Sequence, residues 1–193
     1  SAIDALLAAE VQPGAEVSLA TAPELRVKLV PLNRSEITSL TLLPTHRYTE
    51  GWLLSSGRLF LFFADNPTVW KSAESPLPPG EPVAVFHDGP RGRVGFRDGR
   101  VYALPGRVPL APPLPDGEGP AADFSDACGQ VLALGARQAF RLVVGPGVDV
   151  GAWEPVPLPE GAGRPVRLHP ASDGAFVFFS DGRVVRLEGL VCL

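Results

Sequence analysis

The chain has 193 residues, enough for one ordinary domain. With 45% hydrophobic residues it can bury a sizeable core, and its formal net charge of −4 argues against a broad nucleic-acid footprint, which needs a basic face. No apolar run approaches the roughly 18 residues that a membrane-crossing helix requires, so no membrane span is expected.

Residues 2–11 read as a short helix, because Ile3, Leu6, Leu7 and Val11 recur at helical spacing and Pro13-Gly14 ends the run. Residues 1–15 are therefore expected to form an N-terminal helix or arm. From residue 16 onward the chain reads as strands. Leu25–Leu32 alternates, with Leu25, Val27 and Leu29 on one side and Arg26 and Lys28 on the other, as a half-buried strand does. Short apolar runs then follow, from Ile37–Leu43 to Arg183–Leu187, divided by the chain's 22 prolines and 21 glycines. Pro and Gly at this abundance can mark disorder, but here they alternate with apolar strands, as turns do.

Two phrases recur along these strands. A turn ending in Arg appears as Ser56-Gly57-Arg58, Asp98-Gly99-Arg100, Gly135-Ala136-Arg137 and Asp181-Gly182-Arg183. A Pro/Leu exit follows as Pro76-Leu77-Pro78, Pro113-Leu114-Pro115 and Pro157-Leu158-Pro159. The turn Arg residues are separated by 42, 37 and 46 positions, and the exit residues Leu32, Leu77, Leu114 and Leu158 by 45, 37 and 44. Two landmarks with matching intervals near 40 residues imply an all-β, four-bladed β-propeller. The alternative is a β-sandwich or barrel.

The expected blades are approximately 37–80, 81–117, 118–161 and 162–193, within one domain over 16–193. Residues 25–32 form an exit strand with no repeat before them, while the last repeat lacks one. The phase of the repeats therefore predicts that the N-terminal strand completes the fourth blade and closes the ring. Closure removes exposed strand edges. Two-residue hairpins need positive φ, which Asp-Gly supplies, so the Asp98-Gly99 and Asp181-Gly182 turns are expected to be of that kind.

Candidate site residues follow from this arrangement. Arg58, Arg100, Arg137 and Arg183 would come round at equivalent heights on one face and could meet carboxylates, phosphates or an acidic protein surface. Trp70 and Trp153 precede exit strands at matching positions, as core residues or, if exposed, as binding hot spots. Trp52 opens a second strand. His46, His87 and His169 all fall near the end of a first strand, where convergence on the axis could hold a metal, although no close His pair supports this. Asp65, Asp88, Asp98, Asp123, Asp126 and Asp173 are expected mostly in turns. There is no Gly-x-Ser-x-Gly elbow, phosphate-cradling loop or Cys-x-x-Cys pair, so no catalytic residue and no cofactor is assigned. Cys128 and Cys192 lie far apart and are expected as two half-buried free thiols.

The segment Gly57-Arg58-Leu59-Phe60-Leu61-Phe62-Phe63-Ala64-Asp65-Asn66-Pro67-Thr68-Val69-Trp70-Lys71-Ser72-Ala73-Glu74 resembles a phrase in propeller-bearing tail-tube or nozzle proteins of bacteriophages. In blade count and size the chain also resembles hemopexin-type domains, without their blade signature. The first resemblance implies a virion structural role. The expected function is a non-catalytic structural or protein-interaction propeller, in a phage tail or connector or another assembly scaffold. The alternatives are a small-ligand or carbohydrate-binding propeller, and an enzyme with its site at the channel mouth. Protein partners are expected, in the cytoplasm or a virion, or outside the cell if a leader has been removed.

Overall fold

Alternating apolar residues separated by tight turns leave each short sheet with two faces to bury, and the chain buries them sheet against sheet. The computed structural model describes residues 16–19, 22–29, 34–43, 49–66, 69–160, 163–187 and 189–190. The chain is an all-β, four-bladed β-propeller whose antiparallel sheets stand in a ring about a common axis. The first blade contains β3 (Ile37–Leu43), β4 (Thr49–Ser55), β5 (Arg58–Asn66) and β6 (Val69–Ser75). The second contains β7 (Pro82–Asp88), β8 (Arg91–Phe96), β9 (Val101–Ala103) and β10 (Val108–Ala111). The third contains β11 (Asp123–Ala127), β12 (Gln130–Leu134), β13 (Ala139–Val143) and β14 (Ala152–Val156). The fourth has, among the described residues, three strands, β15 (Pro165–Ala171), β16 (Gly174–Phe179) and β17 (Val184–Arg186).

The N-terminal strand is not where the repeat phase placed it. β1 (Glu16–Leu19) and β2 (Ala22–Leu29) form a hairpin, and β2 pairs with β6 through Lys28↔Glu74 and Leu29↔Ala73. It thus extends the sheet of the first blade beyond β6 rather than completing the fourth. The expected helix over 2–11 lies outside the described residues.

The core sits between blades. Trp52, Leu54, Leu59 and Leu61 of the first blade pack against Val85, Val94, Phe96 and Leu104 of the second. Ala84, Phe86 and Val101 meet Phe124, Val131, Phe140 and Trp153 at the next seam. Leu132, Leu134 and Val156 meet Leu168, Val177 and Phe179 at the third. Leu77, Leu114 and Leu158, the exit leucines, each join the cluster of the seam that their linker crosses. Full burial of such a side chain contributes about 1.5–3 kcal/mol.

Glycine in β8 makes two of these seams possible. Gly92 receives the Trp52 indole from the first blade and Gly95 receives the Phe124 ring from the third; a Cβ at either position would overlap the aromatic. Positions 92 and 95 point to opposite faces of the strand because side chains alternate, so one strand accepts an aromatic from each side.

The turns also differ from expectation. Phe96 N–H donates to Arg100 O at 2.9 Å, and Phe179 N–H to Arg183 O at 2.9 Å, so both Asp-Gly turns span three residues. Asp98 and Asp181 each accept the backbone N–H of the Arg two positions on, at 3.1 Å, which fixes the longer loop. Among the four repeated turns, Ser56-Gly57 closes a two-residue hairpin with positive φ at both residues, 49° and 74°. Cys128, at the β11–β12 turn, is disulfide-bonded, which overturns the expected free thiol; the sequence has one other cysteine, Cys192.

The Gly95→Ala variant is expected to lose about 1–3 kcal/mol of unfolding free energy, the usual cost of overpacking. Gly106→Ala, with no contact closer than 3.6 Å, should stay within about 0.5 kcal/mol of the parent. Urea denaturation of both variants checks this.

Candidate functional site

The inner strands β3, β7, β11 and β15 surround the axis, and together they line a cavity of about 500 Å³. Because these strands run the same way, the residues at their C-terminal ends gather at one mouth. The turns bearing Arg58, Arg100, Arg137 and Arg183 lie at the opposite ends of the blades, on the face that carries the linkers between blades.

Polar side chains bridge neighbouring blades around this axis. Between the first and second, Thr41 Oγ1 and His87 Nδ1 share a 2.7 Å hydrogen bond, and Val85 N–H donates to Ser39 Oγ at 3.0 Å. Between the second and third, Arg93 Nη1 donates to Asp126 Oδ2 at 2.5 Å while its Nη2 donates to Asp88 Oδ2 at 2.8 Å. Between the third and fourth, Asp123 Oδ2 accepts Leu168 N–H at 2.8 Å and lies 4.0 Å from Arg167 Nε.

The burial of these groups shapes their charge. Asp126 is 11% exposed. Burial pushes its carboxyl up to about 6; the neighbouring Asp88 charge adds to this, and the Arg93 guanidinium opposes it. Burial also raises Asp123, against the hydrogen bonds from the N–H groups of Leu168 and Phe124 and the charge of Arg167. Asp88 and Arg167 keep substantial exposure at 45% and 73%, so the mouth offers both signs of charge to solvent; His169 is exposed on β15 but does not line the cavity. Asp88, Asp123 and Asp126 are therefore strand residues directed by the inner strands, not turn residues as the sequence suggested.

The remaining candidate residues are dispersed. Each turn Arg is paired with a carboxylate: Arg58 with Glu74, Arg100 with Asp98, Arg137 with Glu118 and Arg183 with Asp181. Arg100 also donates to Pro79 O at 2.7 Å and stacks on Phe96, so it fastens the incoming linker to its blade. Trp153 is buried, and its indole N–H donates to Pro112 O at 2.8 Å, which ties the third blade to the linker before it. Trp52 is buried in the first seam. The Trp70 side chain and His46 lie outside what is described. His87 is engaged by Thr41, and among the described residues no three His, Cys, Asp or Glu side chains are grouped to hold a metal.

No protein-family model matches the sequence, and no curated protein matches it either. Solved structures do. The chain is similar to the computationally designed Ika4 protein, at 14% identity and a TM-score of 0.52, covering 80% of this chain and 92% of that one. It is similar to catalytically inactive virginiamycin B lyase from Staphylococcus aureus with quinupristin, at 10% identity and a TM-score of 0.56. That match covers 82% of this chain, which spans 57% of the lyase. A slighter likeness, with 19% identity, a TM-score of 0.42 and 80% and 47% of the two chains covered, is to YCF48 bound to D1 peptide. At these identities the likeness is one of fold, and no phage tail or nozzle protein is among the structures named. Among the described residues no helix is long and apolar enough to cross a membrane.

The raised Asp126 gives a pH signature. Between its unfolded value near 3.9 and about 6, the folded state binds the extra proton. Its stabilising contribution is thus complete below about pH 4 and lost as pH rises through about 6, an amount of roughly 3 kcal/mol. Unfolding free energies from pH 4 to 7 should fall more steeply with pH in the parent than in Asp126→Asn. Parallel curves would contradict the assignment.

Proposed function

We propose that this chain is a non-catalytic protein-interaction propeller that engages its partner at the axial mouth formed by Asp88 and Arg167. The observation that carries the reading is the construction of that mouth. Inner strands of all four blades line it, Asp88 and Arg167 project both signs of charge into solvent, and the charged groups beneath are braced by one another. Loops and strand ends held by a rigid scaffold are where recognition residues concentrate. Mixed charge around a cavity supplies orientation and specificity more than bulk affinity. The buried polar groups serve as bridges between blades: Arg93 is committed to two carboxylates, and His87 to Thr41.

The paired turn arginines lend less to this reading, since each already has a carboxylate partner and acts within its own blade. The cavity volume favours a second reading, a small ligand held at the axis, because about 500 Å³ falls in the range of small-molecule sites. A virion setting rests on the resemblance over residues 57–74 alone.

A photo-crosslinking residue placed in turn at Arg167, Pro170 and, as a control, the exposed Glu154 of β14 separates these readings in the native source. A discrete protein adduct is expected from positions 167 and 170 and not from 154, and it should disappear in Asp88→Lys. Adducts of similar yield at all three positions would reject the axial interface. A bound compound below about 1 kDa, released by Asp88→Lys in native mass spectrometry, would favour the small-ligand reading.

A further inference from the structure

The second and third blades have four strands and the fourth has three, so β17 is the outer strand of its sheet among the described residues. Its backbone register shows which groups are open. Phe179 N–H donates to Arg183 O at 2.9 Å and Leu187 N–H donates to Ala175 O at 2.8 Å. Backbone groups alternate in direction along an antiparallel strand, so Val184 and Arg186 turn their N–H and C=O outward. Their side chains share a sheet face with Phe178, which pairs with Val184; Phe178 is 38% exposed and Val184 50%. A free edge beside apolar surface is a template for another strand.

Among the described residues, the chain's own candidate strands are engaged elsewhere. β2 lies on β6. Beyond β17 the chain turns back: Gly189 O accepts a bond from Arg141 Nη1 at 3.5 Å, and Leu190 packs on the core between the third and fourth blades. A second copy pairing through β17 would bring the Arg183 and Arg186 residues of both chains to one edge, like charge beside like charge.

The third blade shows what the vacant position accepts: β14 buries Trp153 and Val156, and its Glu154 meets Arg141 of β13 at 2.9 Å. The cation of the fourth blade that matches Arg141, Arg186, is held among the described residues by Asp173 of the β15–β16 turn alone, at 2.9 Å, with the two side chains 53% and 67% exposed. We infer that the outer edge of β17 is a strand-addition site for an extended segment of a partner protein, one that carries a glutamate or aspartate flanked by apolar residues. Main-chain bonds to Val184 and Arg186 supply affinity, and the carboxylate facing Arg186 supplies specificity. This edge is separate from the axial mouth, and neither reading depends on the other.

A synthetic peptide with the sequence of residues 150–158, the third blade's own outer strand, tests the site on the full chain. Amide hydrogen exchange at Val184 and Arg186 should be fast in the free monomer and slow by at least about tenfold with millimolar peptide. Replacing the peptide's glutamate by lysine should weaken the effect by about tenfold, and Arg186→Glu in the protein should reverse that preference. Val184→Pro, which removes an outward N–H and leaves the ladder bonds intact, should abolish protection. No change in exchange, or equal protection by a scrambled peptide, overturns the inference. So does protection already present in the dilute monomer, which would mean that the chain covers its own edge. Protection that appears with a doubled mass and without peptide would assign the edge to a second copy, and overturns it equally.

Discussion

The structure depends on aromatic rings of one blade entering spaces left by glycine in the next. β8 is the clearest case: Gly92 admits Trp52 from one side and Gly95 admits Phe124 from the other. A strand with side chains at both positions would hold its neighbours away, and Val94, Phe96 and Val101 would lose the partners that make them fully buried. An isolated four-stranded sheet this small cannot bury enough surface to stand alone. Stacking the blades is what offsets the entropy of ordering them.

The linkers complete that packing. Each enters its blade beside the turn between second and third strands, and a backbone bond joins the two: Arg97 N–H to Glu81 O, Ala136 N–H to Glu118 O, Ser180 N–H to Arg164 O. Side chains reinforce the joint. Arg100 reaches Pro79 O, the buried Glu118 receives Arg137, and Asp181 accepts Gly163 N–H. The turn and the Pro/Leu exit are thus two halves of one fastening. The axis carries a second set of bridges, Thr41–His87, Asp88–Arg93–Asp126 and Asp123–Leu168, and these place charged groups around the cavity.

That fastening is why the fold was legible in the sequence. The turn and the exit Leu recur with matched intervals because the turn's backbone bonds to the incoming linker and the Leu fills the seam. Arg100 and Arg137 add side-chain bonds to that linker, while Arg58 and Arg183 pair within their own blade. The destination of the N-terminal strand was not legible. Repeat phase assigns a strand its type but not the open edge it joins, which here rests on pairings as distant in sequence as Lys28 with Glu74. The site was only partly legible for a similar reason. Asp88, Asp123 and Asp126 resemble turn residues locally, and their role comes from Arg93, 33 positions from Asp126, and from Leu168, 45 positions from Asp123. The turn arginines drew notice because they repeat, yet what repeats in a propeller is construction. The groups that differ between blades are those that gather at the axial mouth.

The most direct test of this account is a double-mutant cycle on Trp52→Ala and Gly92→Ala, with unfolding free energies from urea denaturation. If the indole occupies the space above Gly92, the methyl group added at 92 is costly only while Trp52 is present. The two substitutions should then be non-additive by at least about 1 kcal/mol, the double variant being more stable than the sum of the single effects implies. Additivity within about 0.3 kcal/mol would show that the two residues do not share that space, and would contradict the packing on which the propeller depends.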